Sequence, residues 1–425
     1  MLYFARGSEN DVITPEDVRS ALEEAFRSMG PKKRVLALPP DFTRANSYAG
    51  PITEMIYDHF GTALTDVMPA LGTHSPMTGE QISAMFGHTP KELFRVHDWR
   101  NDVVTVGEVP AEYVEKVSEG RLHYPWKAQV NKLLLDRSFD LILSIGQVVP
   151  HEVIGMANYT KNIFVGVGGA EGINKSHYLG ATYGMERIMG RARTPVRDVM
   201  EYAAQKFTAD LPIVYIQTVL SKDEKGILRL RGLFIGDDYE CFRMASELAL
   251  RTNFIMVGKP IDRCLVWLDP QEFKSTWLGN KAIYRTRMAL ADGAELIVMA
   301  PALKEFGEDA TIDTLIRKYG YRGTPYILQA VEKNQDLKDN LGAAAHLIHG
   351  SSEGRFRITY CPGPQMSREE IESVGFGYGD LETVMKRFRP DTLHDGWNTL
   401  PDGEEIYYIP NPALGLWAVK ERFTD

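Results

Sequence analysis

A chain of 425 residues exceeds the usual reach of one hydrophobic core, so its length sets an expectation of two domains. With 44% hydrophobic and 25% charged residues it has the composition of a globular protein and not of a disordered one. A formal net charge of −9 excludes broad electrostatic binding to nucleic acid or an anionic membrane, and three scattered cysteines exclude a disulfide framework and a cysteine-rich metal cluster.

The opening "MLYFARGSEND" lacks the basic-then-apolar pattern of a secretory leader, and no apolar run reaches the roughly 18 residues of a spanning helix, so the expectation is a cytoplasmic protein. "TPEDVRSALEEAF" from Thr14 reads as a helix with a capping hydroxyl three residues before an acid. The apolar run "RVLALPP" (34–40) reads as a strand, and so does "DVMPALG" (66–72). Helices are expected again at Thr78, where Gln81 completes the cap, and at "TPKELF" from Thr89. A third strand is "DLILSIG" (140–146). Two β-rich arms about "SKDEKG" predict a hairpin over 211–236, followed by a helix over "YECFRMASELALR". Strand-then-helix alternation resumes with "CLVWL" (264–268), "AELIVMA" (294–300) and the capped "SREEIESV" from Ser367. The terminal "NPALGLWAVKERFTD" carries no strong type signal. The expected fold is α/β: two α/β domains with mostly parallel sheets, over 1–262 and 263–425, with cofactor and active site in the cleft between them.

In open α/β sheets, ligands gather where strands end and loops begin. Three loops meet that rule. "PPDFTRAN" offers Asp41, Thr43 and Arg44, whose guanidinium can hold a carboxylate by two parallel hydrogen bonds or can simply pair with Asp41. "LGTHSPMT" offers His74, which can act as acid or base near neutrality or merely bond to the loop backbone. The third loop, "HEVIGMANYTKNIFVGVGGAEGINKSH", holds His151, Lys161 and His177. Its glycines do not make a dinucleotide fingerprint, because after Gly166 and Gly168 the third glycine position is Glu171. A zinc site from His74, His151 and His177 is open on composition, with no local HExxH pair to support it.

The ordered set Arg44, His74, His151, Lys161 and His177 resembles the nickel-dependent lactate racemase family of 2-hydroxyacid racemases and epimerases. The resemblance rests on "DFTR", on "GTHSPMT" and on a histidine ten residues before a lysine with a further histidine beyond. It implies that Arg44 and Asp41 hold the substrate, that His74 and His151 are the catalytic acid/base pair, and that Lys161 is the covalent tether of a nickel pincer nucleotide. His177 is then the nickel ligand, with Thr43 and the backbone of Gly168 and Gly169 against the cofactor. A small 2-hydroxyacid and the proteins of cofactor biosynthesis are the implied partners.

The chain departs from the family in the helix that opens the C-terminal domain, where a Tyr-Gln-x-x-Lys pattern is replaced by "YRTRM". Tyr284 is retained, Arg285 stands for the glutamine and Met288 for the lysine, while Lys304 is a candidate replacement cation. Arg285 or Arg287 could hold a second carboxylate or a polyhydroxy chain, but residues two apart on a helix do not share a face, and both could equally be surface charges. The expected substrate is therefore larger or more polar than lactate, as malate or a sugar acid would be. A metal-dependent hydrolase or lyase using the same histidines, and a non-catalytic hydroxyacid or nucleotide sensor, are the alternatives.

Overall fold

The structure, a computed structural model, describes residues 1–223, 225–307 and 309–423. It divides into two compact units, Met1–Leu179 with Ile188–Asn253, and Gly180–Arg187 with Phe254–Asp425. The division falls at Asn253, ahead of the expected 262/263.

The strands of the first unit are β1 (Leu2–Gly7), β2 (Val35–Leu38), β3 (Leu64–Val67), β4 (Val103–Val109), β5 (Trp126–Asn131), β6 (Leu141–Gln147), β7 (Pro150–His151), β8 (Gly155–Met156), β9 (Ile213–Lys222) and β10 (Leu228–Gly236). Its main sheet has the order β1-β10-β9-β6-β2-β3. The β9, β6, β2 and β3 neighbours run parallel, and the β9–β10 hairpin and β1 close one edge antiparallel. The expected hairpin is present; Glu224 of its turn lies outside the described residues. β2 is buried along its whole length, as a parallel strand covered on both faces should be. Helix Pro15–Met29 covers one face with Val18, Leu22, Ala25 and Phe26, and both halves of its Thr14–Asp17 capping box form.

Two sequence expectations change. "DVMPALG" is a strand only to Val67; beyond it the chain stays beside β2 through Met68 N–H to Ala37 O at 2.9 Å, Ala70 N–H to Pro39 O at 2.7 Å and an isolated Pro40–Ala70 bridge. "TPKELF" forms no α-helix but a single 3-10 turn, Lys91–Leu93. The chain is drawn out of helical geometry there: Arg95 N–H donates to Val67 O at 2.8 Å, and its Nε to the Asp66 carboxylate at 2.7 Å. That pairing extends the edge of β3 and outweighs the local capping signal.

The second unit carries β11 (Phe254–Met256), β12 (Ile261–Trp267), β13 (Leu290–Ala300), β14 (Arg357–Pro362), β15 (Gly377–Tyr378), β16 (Gly396–Thr399), β17 (Glu405–Ile409) and β18 (Leu416–Ala418). Its six-stranded sheet has the order β15-β14-β13-β12-β17-β16, parallel except for β16. The terminal segment without a type signal supplies β18, which pairs in parallel with β11. Both main sheets are thus mostly parallel, the α/β class the sequence indicates. No described helix is long and apolar enough to cross a membrane.

Candidate active site

Strands β6, β2 and β3 are consecutive neighbours in the first unit, and each ends in one of the three loops. Parallel alignment puts all three C-terminal ends on one edge of the sheet, which is why residues far apart in sequence meet there. After β2 the chain enters the 3-10 turn Phe42–Ser47, which carries Thr43 and Arg44 on its exposed side while Asp41 is buried. His74 follows β3, half exposed, and His151 follows β6 in the small β7–β8 ribbon, where only about 12% of its side chain is exposed.

Asp41 does not stand beside Arg44 as a simple pair. Its Oδ2 lies 2.7 Å from His74 Nδ1, and its Oδ1 accepts the Thr43 hydroxyl. Burial pushes the Asp41 carboxyl up, but the hydrogen bonds from His74 and Thr43 outweigh it and hold the group below its usual range. The carboxylate is therefore ionised at neutral pH, so the proton between it and the ring belongs to His74 Nδ1. The Nε2 lone pair is left outward, in the arrangement of a carboxylate-oriented general base.

His151 is held the opposite way. The Val153 N–H donates to His151 Nδ1 at 3.1 Å, and a backbone amide can only donate. The neutral ring must then carry its proton on Nε2. Burial holds its imidazole well below the ordinary histidine range, and nearby Lys161, Arg44 and His177 act in the same direction against Glu152. The two histidines are thus not equivalent, which their sequence positions do not disclose.

Lys161 begins the buried π-helical turn Asn162–Gly166. Asn162 straps this turn to the sheet, donating from Nδ2 to Leu38 O at 3.0 Å and to Ser144 Oγ at 2.9 Å, at the ends of β2 and β6. The Lys161 amine makes no hydrogen bond or ion pair among the described residues. Burial, reinforced by Arg44 and Arg197 against Glu152 and Asp41, lowers it to about 8. An amine in that state has a substantial unprotonated fraction near neutrality and is disposed to act as a nucleophile.

His177 lies on helix Ala170–Tyr183, where its Nδ1 donates to Ile173 O at 2.7 Å. That bond fixes the tautomer with the Nε2 lone pair available, as a histidine must be held if it is to ligate a metal. Burial lowers its imidazole too, the Ile173 bond opposing and Lys161 assisting. Gly168 and Gly169 have packing reasons of their own: a Cβ at Gly168 would meet Phe164 O at 2.0 Å, and one at Gly169 would meet Gln129 Oε1 at 2.6 Å. Buried His97, with Asn131 donating to its Nδ1, gives its Nε2–H to Gly168 O at 3.0 Å and pins the same turn. Asn162, His97 and Glu152 carry no motif, and only their contacts bring them to notice. Among the described residues no cluster of three or more His, Cys, Asp or Glu side chains is placed to hold a metal by itself.

In the second unit Tyr284 ends the short helix Lys281–Tyr284 and is buried. Arg285 donates from Nη1 to Ala413 O and Gly415 O, at 3.2 and 3.1 Å, so its guanidinium clasps the segment before β18. Arg287 is 4% exposed and donates from Nε to Glu186 at 3.0 Å; Arg355 shares the same carboxylate at 2.8 Å. Arg285 and Arg287 point to different partners, but the helix ends at Tyr284 before either of them, and neither is a surface charge. Met288 is buried, and Lys304 pairs on the surface with Glu305. Arg287, Arg355, Glu186 and His349 border a cavity of about 250 Å³ within this unit.

Residues 14–187 match the family model of the lactate racemase N-terminal domain. Among solved structures, a Thermotoga maritima protein from structural genomics aligns at 24% identity over 97% of this chain and 100% of its own, with a TM-score of 0.79. The lactate racemase apoprotein of Thermoanaerobacterium thermosaccharolyticum aligns at 17% identity over 96% and 90%, with a TM-score of 0.67, a likeness of fold. No protein of curated function matches the chain. The likeness to the lactate racemase N-terminal domain covers residues 14–187, the stretch that carries Arg44, His74, His151, Lys161 and His177.

Proposed function

We propose that the protein is a racemase or epimerase that inverts C2 of a 2-hydroxyacid with a nickel pincer nucleotide tethered to Lys161. The observation that carries this reading is the convergence of the β2, β3 and β6 loops, with Arg44, His74 and His151, on the turn that Asn162 straps beneath Lys161.

The donor set fits such a cofactor. A pincer nucleotide brings most of its metal's ligands with it, so the protein needs one amine and one neutral imidazole, and Lys161 and His177 are available in those states. A hydrolytic zinc site needs about three protein ligands, and the described residues offer no such cluster. When bound, the cofactor supplies a hydride acceptor, so the weakly acidic C–H need not be lost as a proton.

The chain's own residues do the rest. Arg44 anchors the planar carboxylate by its fork, so that the alcohol carbon can flatten and re-form without the acid leaving. His74 Nε2 takes the hydroxyl proton, and Asp41 stabilises the resulting imidazolium through Nδ1. His151 in its present tautomer donates Nε2–H to the substrate oxygen; to serve as the second base its ring must first release the Val153 N–H. Thr43 and the turn at Gly168 and Gly169 are the proposed contacts of the cofactor, and Tyr284 with Arg285 the proposed substrate contacts from the second unit. Since Arg285 already satisfies two carbonyls, we assign its role to ordering the segment before β18 as well. Replacement of the family's glutamine and lysine by Arg285 and Met288 supports a substrate more polar or larger than lactate. A cytoplasmic location, with proteins of cofactor synthesis as loading partners, completes the proposal.

Intact mass and nickel analysis of protein made together with the cofactor pathway tests this reading. An adduct on Lys161 with bound nickel is expected, and absence of both overturns it. Pure enantiomers of lactate, 2-hydroxybutyrate, malate, phenyllactate and gluconate, followed for inversion, then identify the substrate.

A further inference from the structure

Arg197, on helix Pro195–Phe207, is fully buried and forms no ion pair among the described residues. Taking a guanidinium out of water is costly, and the Glu201 carboxylate that favours its charge lies beyond salt-bridge distance, so the contacts that retain it are informative. Nη2 donates to Met156 O at 2.7 Å, and Nη1 to Asn158 O at 3.2 Å and to Thr160 Oγ1 at 2.8 Å. Thr160 donates a hydrogen bond from its own hydroxyl to Glu201 Oε1 at 2.8 Å, and the guanidinium carbon sits 4.3 Å from the Phe242 ring centroid. All three acceptors lie on the five residues before Lys161. Within them Asn158 and Tyr159 have φ of 66° and 58°, two successive left-handed residues that are not glycine. Tyr159 stacks on Phe242, the ring that also faces Arg197. A turn of this shape persists only where its surroundings over-determine it, and one planar fork reaching three acceptors does so.

We propose that Arg197 is a positioning residue for Lys161: its fork locks the Met156–Thr160 turn and thereby sets where the lysine amine is presented to a ligand. This rests on the tether reading for its purpose but not for its test. Groups facing the amine are Arg44, Glu152, Arg197 and Asp41, and Arg197 also holds the backbone that carries it.

The test uses the full-length chain without cofactor. Trace acetylation with acetic anhydride, read by mass spectrometry as Lys161 relative to exposed Lys386, is measured across pH together with peptide-level amide exchange over 156–162. Arg197→Lys keeps a cation but loses the fork. In it, exchange over 156–162 should rise about tenfold while other regions hold. The Lys161 profile should move up toward that of Lys386 by about half a pH unit as the amine reaches water. Thr160→Val, which removes one acceptor and is nearly isosteric, should move both readouts the same way by less. Unchanged exchange and an unchanged Lys161 profile in folded Arg197→Lys overturn the proposal; if that variant does not fold, the same null result in Thr160→Val does so. Failure of the tether reading registers separately, as a missing adduct on a correctly presented Lys161.

Discussion

Asp41→Asn isolates the group that decides what His74 can do. The native carboxylate accepts the His74 Nδ1–H at 2.7 Å and the Thr43 hydroxyl on its other oxygen. An amide of the same shape has two ways to sit. With Oδ1 toward the ring the tautomer survives, but a charge-assisted bond becomes a neutral one, a loss of about 1–1.5 kcal/mol and hence about tenfold in rate. With Nδ2 toward the ring the amide donates to Nδ1, the ring proton moves to Nε2, and the outward lone pair is gone. General-base catalysis is then lost, worth about 10²–10⁴-fold. The expected result is a fall in kcat between these limits, with nickel content and the Lys161 adduct unchanged, followed by circular dichroism of the product mixture. Nitrogen-15 shifts of the His74 ring in the cofactor-free chain report the tautomer independently. A variant within about twofold of the parent kcat at equal loading would refute the orienting role. The pH sign follows from the lowered carboxyl: the interaction is present above the ordinary 3.8 and is lost only as pH falls through the depressed folded value. Asp41 is therefore not the source of any rate change near neutrality.

Lys161→Met should stabilise the cofactor-free chain at pH 7 by about 1–3 kcal/mol in urea unfolding, because burial lowers the amine to about 8 and the folded state resists its charge. The unfolded chain holds that proton up to its ordinary 10.5, so the advantage should shrink as pH rises from 8; destabilisation at pH 7 would contradict the assignment. Glu186→Gln leaves Arg287 and Arg355 facing one another and should cost about 2–3 kcal/mol, less than a fully buried pair because Glu186 is 28% exposed; a neutral result would mean that water compensates the arginines. Asn162→Ala removes two buried hydrogen bonds, should cost about 1–3 kcal/mol, and should lower the fraction of chain carrying an adduct on Lys161. His177→Ala should reduce nickel occupancy while the Lys161 adduct mass persists; retention of full nickel would remove His177 from the ligand set.

Much of this protein was legible in its sequence, for reasons of short range. The capping pairs Thr14–Asp17, Thr78–Gln81 and Ser367–Glu370 form as written, since a hydroxyl and an acid or amide three residues apart can satisfy each other without help. Apolar runs such as "VLAL" and "LILSIG" become buried parallel strands because nothing else buries them so fully. The loops that follow them were identifiable by position alone. What local pattern could not supply was the partner of each group. "TPKELF" lost its helix to Val67 and Asp66, far back in the chain. Asp41 proved to orient His74, Arg285 to clasp carbonyls near β18, and Arg287 to bury itself on Glu186. The tautomers of His74, His151 and His177, and the depressed amine of Lys161, depend on burial and on single hydrogen bonds to groups the sequence does not place beside them. Composition and motif thus determined which chemistry-bearing residues the chain possesses and which strands deliver them. Only the tertiary structure decided their protonation, because that depends on distance and on exclusion of water.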